Sequence, residues 1–284
     1  MTARRDVIDA QRELWGTAPR DWADLAEPEN RPLYERMLDL AGDPTPAPGA
    51  AGAHPLAGRA LLDLGCGSGL LCRLAADRGA DVAGIDICPQ LLEIARERTP
   101  AADLREGDMS ALPFADASFD IVTAANALQF APDPAEAFAE AARVLRPRGL
   151  LVVSLFAEPE RNQGTILHLA MKNLVEQVEG RQDGYAPYAL SQAGGLEAAV
   201  RAAGLTVRGA GEVPVAWRYP DPATTLRALL CSAGGARAAK VAGRHRVEAA
   251  LTEAMTPLVG PDGAVTMRNL FRYVVAQRPV LAVR

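Results

Sequence analysis

The apolar run Leu61-Leu62-Asp63-Leu64 leads directly into Gly65-Cys66-Gly67-Ser68-Gly69, and a helical pattern starts at Leu70. Three glycines at alternate positions between a strand and a helix constrain the fold more than any other feature of the chain. Lacking Cβ atoms, they let the backbone turn sharply and lie against a ligand. The helix that opens near Ser68 also presents N–H groups with no partner inside the helix. A strand-to-helix turn can be glycine-rich without binding anything, so the flanking residues must identify the loop.

Seventeen residues beyond Gly69, the apolar run Asp81-Val82-Ala83-Gly84-Ile85 ends on Asp86. A carboxylate at the carboxyl end of a strand can accept both hydroxyls of a ribose. A dinucleotide loop would read G-x-G-x-x-G beside a pyrophosphate. Here the spacing is G-x-G-x-G, and Asp63 stands two residues before the loop, where it would repel a pyrophosphate. An acid in that place suits the ammonium of a nucleoside that carries an amino acid, as S-adenosylmethionine does.

With these residues the chain resembles the class I S-adenosylmethionine-dependent methyltransferases, in particular the branch of small-molecule and ubiquinone-biosynthesis enzymes. Asp63 through Gly69 resemble the family's first motif, and Asp86-Ile87 its ribose acid with an apolar neighbour against the adenine. Glu106-Gly107-Asp108-Met109 with Leu112-Pro113-Phe114 resembles the adenine-binding segment, Asp108 facing the exocyclic amine and Met109 the ring. Ser118 to Val122 resembles the fourth strand, and Ala142 to Leu151 the following helix, turn and fifth strand. The likeness is tight over residues 59–155 and loose elsewhere. It implies a Rossmann-like α/β fold: a mostly parallel seven-stranded sheet, helices on both faces and a helical lid. It implies S-adenosylmethionine as cofactor and S-adenosylhomocysteine as product. The cofactor would be bound by Asp63, Gly65, Cys66, Gly67, Gly69, Asp86, Ile87, Asp108, Met109, Asn126 and Gln129.

Strands are expected at 59–64, 81–86, 102–106, 118–125 and 149–156, with helices at 69–79, 88–98 and 134–146. That alternation implies parallel strands joined by helical crossovers, with ligands at the strands' carboxyl ends. Residues 1–41 read as an N-terminal helical lid segment. Residues 42–58, with four prolines among alanines and glycines, read as a flexible connector. A methyltransferase core then spans 59–284, interrupted by lid insertions at about 157–193 and 220–262, with further strands near 205–218 and 270–277.

A formal net charge of −5 and no basic patch speak against a nucleic-acid partner. No apolar run reaches the ~20 residues of a membrane span, and the N-terminus lacks a secretory h-region, so a cytoplasmic protein is expected. The four cysteines and three histidines show no metal-ligand spacing, and no metal is expected.

The acceptor side is less explicit. Many relatives carry a histidine near position 129, where this chain has Gln129; an amide orients but is no base near neutral pH. Asn126 and Gln129 are equally well read as loop caps. His168, in an amphipathic stretch from Thr165 to Val178, is the candidate base, while His245 reads as exposed and His54 falls in the connector. Trp15, Phe130, Tyr185, Tyr188 and Trp217 are candidate acceptor contacts, because the aromatics concentrate outside the nucleotide core. The expectation is methyl transfer to an O, N or C atom of a small, largely apolar acceptor in natural-product metabolism. The alternative is a methyltransferase-like cyclase or rearrangement enzyme that holds the cofactor structurally.

Overall fold

The computed structural model describes residues 2–42, 56–180 and 190–280. Most of the connector, His54, and the candidate contacts Tyr185 and Tyr188 lie outside the described residues. Seven strands form one sheet: β1 (Ala60–Leu64), β2 (Asp81–Asp86), β3 (Asp103–Glu106), β4 (Phe119–Ala125), β5 (Leu145–Phe156), β6 (Thr206–Tyr219) and β7 (Val265–Gln277). Their order is β3-β2-β1-β4-β5-β7-β6. The first five are mutually parallel, and β7 runs antiparallel to both β5 and β6. Every expected strand and helix of the nucleotide core is present within a few residues.

Both faces of the central strands are buried, so their side chains are apolar in alternate directions. On one face Leu62, Leu64, Val122, Ala124, Leu151 and Val153 meet α6 (Pro134–Val144) and α8 (Gly195–Ala202). On the other, Leu61, Ile121, Leu150 and Val152 meet α3 (Arg31–Gly42) and α4 (Leu70–Asp77), while α5 (Pro89–Arg98) packs beside α4 through Leu92 and Ala95. The N-terminal segment therefore divides in two. Leu33, Met37 and Leu38 are wholly buried against the sheet, which makes α3 part of the core, contrary to the reading of 1–41 as lid throughout. The apolar spacing of α3 serves the sheet. Only α1 (Thr2–Trp15), the short α2 (Pro19–Asp21) and the turns that follow reach over the strand ends.

A third apolar cluster unites the two insertions. Leu167, Met171 and Val175 of α7 (Thr165–Glu179) pack with α9 (Pro222–Leu230), α10 (Ala233–Ala242) and α11 (Arg244–Met255) and with Tyr219, Val265 and Met267 at the strand ends. Among the described residues no helix is long and apolar enough to cross a membrane.

Candidate active site

The glycine loop sits where parallel β1 hands the chain to α4. The amides of Gly65 and Cys66 both donate to the Ile85 carbonyl of β2, at 2.8 and 3.0 Å, which ties the loop to the strand ending in Asp86. Gly67 and Gly69 have φ of +54° and +82°, a region that favours glycine. They differ in what surrounds them. A Cβ on Gly69 would lie 2.9 Å from the Ala95 Cα, a close packing of loop against α5; a Cβ on Gly67 would point into a cleft, 3.5 Å from Trp22 Nε1 and 3.8 Å from Glu27 Oε1.

Four carboxylates line this cleft: Glu27, Asp63, Asp86 and Asp108. Asp86 accepts the Gly67 amide on one oxygen (2.8 Å) and the Cys88 amide on the other (2.9 Å), which fixes its plane and leaves acceptor capacity on both. Burial lifts its pKa, and those amides offset part of the rise. Asp63 is 3% exposed and accepts the Thr123 hydroxyl at 2.7 Å. Burial pushes it up to about 7 despite that bond, and the nearby charges of Glu27 and Asp86 push the same way. Glu27 is held by Ser68 Oγ at 2.6 Å and by an ion pair with Arg98; burial still raises its pKa. Arg98 also donates to the carbonyls of Ser68 and Ala23, at 3.0 and 2.7 Å, and so fastens the N-terminal turns to the loop.

At the other end, Ile87, Leu91 and Met109 give the cleft an apolar wall beside Asp108. Asp108 accepts the Ser110 amide (2.8 Å) on one oxygen and Arg4 (2.7 Å) on the other. Arg12 donates to the Ile87 carbonyl (3.0 Å) and to Glu106 (2.8 Å). Helix α1 is thus latched across this end, and the enclosed space is only about 100 Å³. Cys66 borders the cleft but turns its thiol inward, into a cluster with Cys72, Leu92 and Leu104.

A second, larger cavity of about 900 Å³ lies between the strand ends, α1, α7, α9 and α10. Trp15, Phe130 and Trp217 line it, as does His168, whose pKa is lowered by burial; His245 is exposed on α11. Trp15 stands edge-on to Trp22 (4.9 Å) and Phe130 (5.6 Å), and Phe156 edge-on to Trp217 (5.6 Å). The cations at this cavity, Lys172, Arg237 and Lys240, face Glu176, Glu179 and Glu13 at 3.7, 3.1 and 2.7 Å, so its charges are balanced. Six residues border both spaces: Gln11, Trp15, Trp22, Asn30, Asn126 and Phe130. Gln129 donates to the Asn126 carbonyl (3.0 Å) and side-chain oxygen (2.8 Å), and Asn126 has φ of +53°. The pair braces its own loop, as the capping alternative expected, while both residues still border the larger cavity.

Sequence reasoning did not single out Trp22, Glu27, Asn30, Tyr34 or Arg98 as site residues. Each reaches the cleft only through tertiary packing. The one signal was the concentration of aromatics, Trp22 and Tyr34 among them, outside the nucleotide core.

A methyltransferase domain family matches residues 62–153. Curated relatives include a demethylmenaquinone methyltransferase of Renibacterium salmoninarum, 42% identical over 39% of this chain and 46% of that protein. Another is a malonyl-acyl-carrier-protein O-methyltransferase of Serratia marcescens, 33% identical over 55% and 57%. A ubiquinone biosynthesis O-methyltransferase of Paracidovorax citrulli is 36% identical over 52% and 62%. The matches thus span roughly half the length of these relatives. Among solved structures, a Bacillus halodurans protein superposes with a TM-score of 0.56 at 17% identity, covering 87% of this chain and 99% of that one. The cyclase SpnF superposes at 0.52 with 21% identity over 87% and 82%. These two likenesses concern the fold alone. Residues 62–153 thus carry a methyltransferase domain, similar to those of the class I S-adenosylmethionine-dependent methyltransferases.

Proposed function

We propose that this chain transfers a methyl group from S-adenosylmethionine to an oxygen, nitrogen or carbon atom of a small, largely apolar acceptor in natural-product metabolism. The observation that carries the reading is the shared wall: an acid-lined nucleoside cleft and a large apolar cavity border the same six residues. Donor and acceptor held in the two spaces would meet there.

The residues present fit the cofactor. The acid-rich cleft matches a ligand with an ammonium and a sulfonium, and Gly67 leaves open the space a Cβ would fill. Asp86 has one acceptor position left on each oxygen for a pair of ribose hydroxyls. Asp63 would face the ammonium, and Asp108 the adenine amine, sharing its carboxylate with Arg4. When bound, S-adenosylmethionine supplies a methyl group already activated as a sulfonium.

What remains for the protein is positioning and the exclusion of water. We assign that work to α1, the turns at 22–30 and the α7, α9 and α10 layer, acting as a lid. His168, held neutral near pH 7 by its lowered pKa, is available as a proton acceptor but weak as a base; we assign it a supporting role. The balanced cations favour a neutral acceptor body over an anionic one.

The test is turnover of a panel of apolar phenols, amines and hydroquinones with S-adenosylmethionine, followed by chromatography. Stoichiometric S-adenosylhomocysteine and methylated product are expected. Conversion of an acceptor without S-adenosylhomocysteine would favour the cyclase alternative and overturn methyl transfer.

A further inference from the structure

Four carboxylates border the nucleoside cleft, but among the described residues no lysine or arginine does. The nearest cations are committed elsewhere: Arg98 to Glu27 and two backbone carbonyls, Arg4 to Asp108 and Glu136, Arg12 to the Ile87 carbonyl and Glu106. The cofactor carries one anionic group, its amino-acid carboxylate, which this acid-rich cleft must satisfy with neutral donors.

One such donor is already waiting. The Trp22 indole N–H is closed to solvent and has no acceptor among the described residues, and a buried N–H without a partner is costly to the folded protein. Its nitrogen lies 3.5 Å from the place a Gly67 Cβ would take. The backbone here is unusual: Trp22–Ala26 forms a π turn that passes directly into a 3-10 turn at Glu27–Asn30. Wide turns of this kind are rare and often mark functional positions. The rewinding sets Trp22, Glu27 and Asn30 toward one cleft, and Asn30 is pinned by Trp217 Nε1 at 3.1 Å.

The position also indicates which part of the cofactor Trp22 meets. Ile87, Leu91, Asp108 and Met109, at the adenine end, border only the cleft. Trp22 borders both spaces, on the side from which a methyl group has to reach the acceptor. The geometry points to Trp22 as the residue that binds the carboxylate of the cofactor's amino-acid tail, through its indole N–H. This rests on the cofactor reading above, and the experiment separates the two.

Calorimetry on wild type and Trp22→Phe, with S-adenosylhomocysteine and with 5′-methylthioadenosine, which lacks the amino-acid tail, tests it. Phenylalanine keeps an aromatic ring at the position and removes the donor; because it also loses volume beside Trp15, methylthioadenosine serves as the control for lost packing. Loss of a hydrogen bond to a charged group should weaken S-adenosylhomocysteine by about 10- to 100-fold, with methylthioadenosine within about twofold of wild type. Equal weakening of both nucleosides, or of neither, overturns the inference. Failure of wild-type protein to bind either one would instead defeat the cofactor reading. If Trp22→Phe does not fold by circular dichroism, ¹⁵N spectra of wild type decide. The three indole resonances are assigned with Trp15→Phe and Trp217→Phe. That of Trp22 should move downfield with S-adenosylhomocysteine and not with methylthioadenosine; an unmoved resonance overturns the assignment.

Discussion

The nucleoside cleft and the acceptor cavity are built by opposite means. The cleft is made of backbone and carboxylates: left-handed glycines, amides donated to Asp86, and strand ends that bring Asp63 and Asp86 side by side. The cavity is made of interchangeable apolar side chains carried on alanine-rich helices, such as α10 with its run of buried alanines. On the proposed reading, its specificity would lie in shape. A site of the first kind writes itself into short motifs, whereas a site of the second kind is spread over four elements distant in sequence.

The strongest challenge to this contrast uses two glycines of one loop. Gly69→Val forces a Cβ into the Ala95 backbone at positive φ, and should destabilise the protein by on the order of 3 kcal/mol or more, read as a lost or much lowered thermal transition. A Cβ at Gly67 meets no backbone, only Trp22 Nε1 at 3.5 Å and Glu27 Oε1 at 3.8 Å, so despite the strain of its positive φ Gly67→Val should keep a near-native circular dichroism spectrum yet abolish binding of S-adenosylhomocysteine. A Gly67→Val protein that binds normally would show that the loop is only a turn.

Asp63 offers a pH-dependent test. Its pKa rises from 3.8 to about 7 on folding, so between those values the folded protein holds a proton that the unfolded chain has released. That contribution to stability is present below about pH 4 and lost as pH rises through 7. Ligand-free Asp63→Asn should therefore gain on the order of 1–3 kcal/mol over wild type at pH 8 relative to pH 4. Wild-type affinity for S-adenosylhomocysteine should fall as pH drops below 7, because a protonated Asp63 no longer attracts the ammonium. An equal pH dependence in wild type and variant would remove Asp63 from the site.

Smaller effects are expected in the cavity. Phe156 borders only the larger space, so Phe156→Ala should lower kcat/KM for the acceptor by about tenfold with nucleoside affinity nearly unchanged. His168→Ala should cost less than about tenfold in kcat, and a chelator nothing. A loss of ~10²- to 10⁴-fold with acceptor binding intact would make His168 an essential base.

The same division explains what was legible in the sequence. Asp63, Gly67, Gly69 and Asp86 were readable because each position is dictated by neighbours within the same β-loop-α unit. Strands β6 and β7 were readable as apolar runs, although their antiparallel pairing was not explicit. Helix α3 was misread because an amphipathic helix looks the same whether it covers a sheet or a cavity. Trp22 and Glu27 were not read as cofactor residues because a half-buried tryptophan and a glutamate between two short turns match no local motif; only the folded chain brings them to Gly67.

The central claim, that the loop and Asp86 hold a sulfur nucleoside and not a dinucleotide, is tested most directly by calorimetric titration of wild type and Asp86→Ala with S-adenosylhomocysteine and NAD. We expect wild type to bind S-adenosylhomocysteine and to prefer it to NAD, and the variant to bind it about 10- to 100-fold more weakly, as loss of charge-assisted ribose contacts requires. Tighter binding of NAD, or unchanged affinity in Asp86→Ala, would contradict it.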